Sequence, residues 1–305
     1  STDMVYFENG SPKLANSVHF GCDVLWGNGY NQFVDAEDNG IYKHYKDIIR
    51  FEKQELKELN DYLLSSDSRS STKDIINFWL EQDEETGLTD KLQKDYRPLF
   101  LYHYAAIIFY LAEMLKAKGL PCPRAILFSG NGSRYIDNFI TKDIDGVLHD
   151  LTMIILKDVF PECEDVQLIL PEDRKESTCY GGLYRKESDK SATPYVFMGV
   201  DGTQYQDVEA IKADFENGLC DKLLSQVEKL NGLYLNMLRT MISKLQLDGI
   251  KTDEIKDCIS TGIKDALQTD FQKEVLGKYD MSVPLGDSLF FLPIVDQILK
   301  LTKKK

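Results

Sequence analysis

The sequence predicts an α/β protein with a helical insertion and a mostly helical C-terminal third. Three observations lead there. Short apolar runs bounded by turn residues lie within residues 1–35 and again at 125–128 and 166–170, and they read as strands. Between about 36 and 119 the apolar residues recur at helical spacing instead. After about 190 the spacing is again helical, following one strand-like run at Tyr195 to Val200. The expected organisation is therefore an α/β core from 1–35 and 120–190, a helical insertion at 36–119, and a helical region at 191–305.

Met4 to Phe7 is strand-like, and Asn9-Gly10 and Gly27-Asn28-Gly29 are turn signals. Tyr45, Ile48, Ile49, Glu52, Leu56, Leu59 and Leu63 keep helical spacing through the start of the insertion. Asp67 to Thr72 is a polar loop, with Ser71 or Thr72 expected to cap the run carrying Ile75, Ile76, Phe78 and Trp79. Pro98 to Leu115 is strongly apolar, and Gly119 is expected in the left-handed position that closes a helix. A helix at about 146–160 should carry Val147, Leu148, Leu151, Ile154, Ile155 and Val159 on one side. Leu223, Leu224, Val227, Leu230, Leu233, Leu238 and Met241 mark a long helix. Residues 286–301, with Leu289 to Leu292 and then Ile294, Val295, Ile298 and Leu299, mark a terminal amphipathic one, interrupted near Pro293.

The chain has 305 residues, 43% of them hydrophobic, enough for one large or two smaller cores. Its net charge of −14 disfavours nucleic acid and anionic membranes as partners. No apolar run approaches the roughly 20 residues of a membrane span, and no basic segment followed by an apolar one opens the chain. The six cysteines at 22, 122, 163, 179, 220 and 258 have no metal-binding spacing, and reduced, packed thiols in a cytoplasmic protein are the expectation. The histidines at 19, 44, 103 and 149 form no HxxxH pattern, so no metal site is expected.

Chemistry is concentrated in Ala125-Ile-Leu-Phe-Ser-Gly-Asn-Gly-Ser-Arg-Tyr-Ile-Asp137. A short strand runs into glycines and then into a pattern that opens a helix. Glycines at such a junction let a ligand approach the backbone, and open α/β sheets bind ligands beyond the carboxyl ends of strands. The stretch is neither a P-loop, since no Gly-Lys-Ser/Thr follows, nor the dinucleotide fingerprint. Arg134 can stack on an adenine face, Ser133 can hydrogen-bond a ring nitrogen, and Gly130 and Gly132 would let the base lie on the backbone. The same residues also fit a ligand-free turn, with Ser133 as N-cap and Arg134 as a surface cation.

This turn resembles the adenosine-binding turn of the actin, sugar-kinase and heat-shock-chaperone ATPase superfamily. Gly130, Asn131, Gly132, Ser133 and Arg134 occupy its places, with Asn131 where a second glycine is usual and Gly132 where a hydroxyl residue is usual. Val166 to Leu170, followed by Pro171-Glu-Asp-Arg-Lys-Glu-Ser-Thr-Cys-Tyr-Gly-Gly-Leu183, is similar to the family's last core strand and the helix after it. Phe20, Gly21, Cys22 and Asp23 resemble the strand-end turn beside the ribose, with Cys22 departing from the pattern. The resemblance spans roughly residues 15–185. It implies a ribonuclease-H-like second lobe that binds ATP or ADP through Gly130, Asn131, Gly132, Ser133, Arg134, Gly21 and Asp23.

The family's two phosphate-binding hairpins, each an Asp followed by a glycine-rich turn, do not occur in this sequence. The chain opens at Ser1 and soon enters a strand, so it is expected to be a second lobe whose first lobe lies upstream. That lobe would be its partner and would bring Mg²⁺, and the catalytic residues are then unknown. Lys46, Arg50, Lys53 and Lys57 lie on the zone that would overhang the base, or on a solvated face. The alternative function is a non-catalytic scaffold that kept the fold, lost the nucleotide and binds a protein through its helical C-terminal zone.

Overall fold

The structure is a computed structural model and describes residues 2–18, 20–27, 40–139, 145–174, 220–245 and 290–303. Over these residues the protein is mixed α/β, mostly helical with two small sheets. The strand-like run at 195–200, Gly181-Gly182, Lys175 and Glu176 lie outside them.

Strands β1 (Thr2–Glu8) and β2 (Ser11–Val18) form an antiparallel hairpin. Asn9 (φ 52°) and Gly10 (φ 77°) make the two-residue turn that the sequence signals. Both residues have positive φ, which matches the twist of the flanking strands. Register shifts between Tyr6 and Phe7, where the partner steps from Leu14 to Pro12 and leaves Lys13 as a bulge. Met4, Leu14 and Val18 point into the core, while Val5 and Phe7 stay 48% and 59% exposed on the other face.

Residues 23–26 were expected within β structure, but Asp23–Trp26 is a short helix, α1. Its C-terminal backbone meets Gly40, the first residue of α2 (Gly40–Lys46). A Cβ on Gly40 would lie 2.6 Å from the Gly27 nitrogen and 2.7 Å from the Leu25 oxygen, and φ there is +67°. Only glycine fits.

The helical periodicity from Tyr45 to Leu63 is not one helix. The chain leaves helical geometry after Lys46 and resumes as α3 (Gln54–Leu64). Periodicity survives the break because Ile49 and Phe51 of the connection also reach the core, while Ile48 and Leu59 remain 50% and 44% exposed. Asn60, the buried residue of α3, accepts from Trp79 Nε1 at 2.7 Å. Helix α4 (Thr72–Glu81) starts at Ser71 with a capping box: Ser71 Oγ accepts from the Asp74 amide, and Asp74 accepts from the Ser71 amide. The Thr72 hydroxyl donates to the Gly27 carbonyl, tying α4 to the end of α1.

After the short α5 (Asp83–Thr86), helix α6 (Leu88–Ala117) runs for 30 residues. It starts ten residues before the apolar run and takes Pro98 into its interior. It ends as the sequence predicts. Gly119 (φ 68°) donates to Lys116, and Leu120 donates to Leu115, the paired bonds of a Schellman motif. The expectation about membrane-length runs needs correction: α6 is long and apolar enough to cross a bilayer by length and composition. Its apolar stretch, however, is 83% buried within the protein. A helix apolar all round belongs in a core. Tyr102, Tyr104, Phe100, Phe109 and Tyr110 are all buried on it.

Strand β3 (Ala125–Leu127) pairs in parallel with β4 (Gln167–Ile169). The apolar run at 125–128 has the length and composition of a buried strand, yet only Ile126 is buried, and Leu127 is 56% exposed. A 3₁₀ turn at Asn131–Arg134, then α7 (Tyr135–Phe139) and α8 (Asp145–Val159), complete the crossover. Helix α8 buries Leu148, Leu151, Ile155 and Val159, as its pattern predicts, and Ile154 lies partly buried against the core. Cys122 and Cys163 form a disulfide, Cα atoms 5.8 Å apart. This corrects the expectation of reduced thiols for that pair. The parallel pairing brings the residues just before β3 and β4 side by side, within bridging distance.

Helix α9 (Cys220–Leu245) and helix α10 (Leu292–Lys303) close the core over α6. Pro293 does not interrupt the terminal helix. It sits in the first turn, where its missing N–H costs nothing.

Candidate functional site

The two turns singled out in sequence meet in space. Gly132 lies against Cys22: a Cβ added at Gly132 would sit 4.0 Å from Cys22 Sγ. Gly21 and Asp23 flank Cys22, with Asp23 exposed at the start of α1 and its Oδ1 3.9 Å from Sγ. Burial first, and the Asp23 carboxylate second, push the Cys22 thiol up to about 11, so it stays protonated at neutral pH.

His103 of α6 joins the two turns. Its Nε2 is 3.0 Å from the Gly21 carbonyl, and its Nδ1 is 3.2 Å from the Tyr135 hydroxyl. A carbonyl only accepts, so Nε2 carries the hydrogen and Nδ1 accepts from Tyr135. Burial pulls the imidazole down to about 3, so the ring is neutral, and only this tautomer satisfies both partners. Phe20 stacks on the ring at 4.4 Å, and Phe291 stacks on Phe20 at 4.3 Å. Burial also raises the Tyr135 hydroxyl well above the usual range.

The glycine turn is built as follows. Gly130 adopts φ 81°, ψ 158°, a conformation that other residues rarely reach, and a Cβ there would meet open space. The Gly130 amide donates to the Arg174 carbonyl at 2.8 Å. Ser133 donates twice to the Gly130 carbonyl, from its amide at 3.1 Å and from Oγ at 2.8 Å. Its hydroxyl hydrogen is thus committed, and only its lone pairs remain for a ligand donor. Ser133 therefore closes the turn from inside the 3₁₀ segment and is not its N-cap. Asn131 opens that segment, and Arg134 ends it as an exposed cation.

Of the seven predicted residues, Gly130, Asn131, Gly132, Ser133 and Arg134 form one turn, and Gly21 and Asp23 lie on the second turn against it. Sequence reasoning missed His103 and Tyr135, which join the turns, and Arg174, which is 4% exposed beneath them. A lone histidine inside the apolar run from Pro98 to Leu115 was the available signal for the first. Of the basic residues on the insertion, Lys53 pairs with Glu85 at 2.8 Å and Lys46 lies 5.9 Å over the Tyr42 ring. Among the described residues no group of three or more His, Cys, Asp and Glu side chains is placed to hold a metal. An open groove of about 570 Å³ lies elsewhere, between α8 and α9, lined by Met153, Ile154, Asp158, Met237 and Lys244 among others.

Compared with protein-family models, with curated proteins and with solved structures, the chain matches none.

Proposed function

We propose that this chain is the adenine-nucleotide-binding lobe of an ATPase of the actin and heat-shock-chaperone kind, with a ribonuclease-H-like core. The observation that carries the reading is the meeting of the 20–23 turn with the 130–134 turn, through Gly132 on Cys22 and through His103. The resemblance assigns these two pieces to ribose and adenine, and a nucleoside needs both within one ligand's length. ATP or ADP would lie along the backbone of Gly130 to Gly132, with Arg134 free to stack on the base and Asp23 exposed toward the sugar. Mg²⁺ and the phosphates would be held by a first lobe carrying the hairpins this sequence lacks.

Binding only the adenosine end stabilises ground state and transition state alike, so this chain alone is expected to show no ATPase activity above background. Titration calorimetry with ATP tests the reading. Gly132→Val would push a branched side chain toward Cys22, and Arg134→Ala would remove the stacking cation; each should weaken binding. Unchanged affinity in both variants would place the nucleotide elsewhere.

The second reading is the scaffold that kept the fold and lost the nucleotide. The open groove between α8 and α9 favours it: Asp150, Lys157, Asp158, Thr240 and Lys244 line it beside the buried Met153 and Met237, a polar concavity that a protein segment could fill. ATP failing to bind at all would favour this reading over the first.

A further inference from the structure

We propose that Arg174 is the positioning residue of the glycine turn: its guanidinium and its own carbonyl hold residues 130–137 in register with the end of β4. β3 and β4 pair over only three residues each. So short a ladder does not order the turn beyond it. The pairing is instead carried on by two bonds, Phe128 N–H to the Ile169 carbonyl at 3.0 Å and Gly130 N–H to the Arg174 carbonyl at 2.8 Å.

The side chain then reaches three further places. Nε donates to the Pro171 carbonyl at 3.1 Å, fixing the arginine in its own turn. Nη1 donates to the Ser133 carbonyl at 2.7 Å, and Nη2 donates to Asp137 Oδ1 at 2.6 Å. One rigid fork thus ties the end of β4 to the 3₁₀ turn and to the first turn of α7. Only 5% of the guanidinium side chain is exposed. Burying a cation is costly unless it is paired, and Asp137, itself 59% exposed, supplies the pairing charge. A lysine offers one point charge and cannot span these acceptors. The consequence for ligand binding rests on the nucleotide reading above; the ordering of the turn does not.

Amide hydrogen–deuterium exchange on the full chain tests this. Arg174→Ala should speed exchange across 130–137 by about tenfold or more, the loss expected for charge-assisted bonds. The β1–β2 hairpin should keep its protection. Arg174→Lys should recover little of it, and Asp137→Asn should give an intermediate increase. Dilute guanidinium ion added to Arg174→Ala should restore protection at 130–137, which a general loss of stability would not do. If Arg174→Ala does not fold, Arg174→Lys and Asp137→Asn carry the measurement. Exchange at 130–137 left unchanged in the folded variants overturns the proposal. ATP titration of the wild-type chain is read separately: a chain that binds no ATP removes the nucleotide reading and leaves the exchange result standing.

Discussion

The β1–β2 hairpin pairs seven positions across a two-residue turn, whereas β3 and β4 pair three positions across a crossover of two helices. The hairpin is held by its own strands, by the Asn9-Gly10 turn and by cross-strand contacts such as Ser17 Oγ donating to Asp3 at 2.6 Å. The parallel pair is held from outside. A disulfide joins the segments before its strands, and Arg174 joins the segments after them. Local pairing needs only sequence neighbours; pairing at a distance needs separate fastenings, and the candidate site sits at the end of the pair that depends on them.

The largest expected effect comes from breaking the joint between the two regions. His103 is held near pKa 3 against an ordinary 6.5. As pH falls, the unfolded chain takes up this proton first, so the stability due to neutral burial is complete above about pH 6.5. It is lost progressively down to about pH 3, for a total of about 3–5 kcal/mol. Denaturant titrations across that range should show the loss, and His103→Gln, which keeps a donor and an acceptor, should flatten it. Equal slopes in both proteins would mean that His103 titrates normally.

Next comes the fastening before the strands. The disulfide closes a loop of 41 residues, and its removal should cost about 4 kcal/mol in the chain-entropy account. Cys122→Ser, or wild type with dithiothreitol, should lower the denaturation midpoint and raise exchange in β3 and β4 while sparing the hairpin. A midpoint unmoved by reductant would show that these thiols are not joined in solution.

The smallest effects compare one glycine from each region. Neither Gly10 nor Gly130 has an atom within 4 Å of an added Cβ, so alanine there costs conformation alone. Gly10 at φ 77° lies near the left-handed helical region, and Gly10→Ala should cost about 1 kcal/mol. Gly130, with ψ 158°, lies where almost only glycine goes, and Gly130→Ala should cost about 2–3 kcal/mol. Equal costs would mean that the turn relaxes when substituted.

The same contrast explains what could be read in advance. The Asn9-Gly10 turn, the Ser71 cap and the Gly119 helix end are set by residues within five of one another, and each was legible. The site turn was legible as glycines after a strand. Its supports were not: Cys122 meets Cys163, His103 meets Gly21, and Arg174 meets Ser133, all across long sequence separations. Cysteine spacing does not reveal connectivity, and one arginine in a polar stretch looks like any solvated cation. The run at 125–128 misled for a related reason. Four apolar residues fit a strand covered on both faces, but this strand leaves Leu127 in solvent.

Helix α6 has a consequence for how the chain is made. Its aromatic face is covered late: Tyr102 and Phe109 pack on Tyr234, and Tyr110 packs on Phe290 and Phe291. A ribosome working from the N-terminus completes this membrane-grade helix well before those coverings emerge. During that interval the nascent chain offers chaperones a long apolar helix whose aromatic face lacks the cover that Tyr234, Phe290 and Phe291 later supply. A chain ending before Tyr234 would keep that face uncovered permanently, and aggregation is the expected outcome.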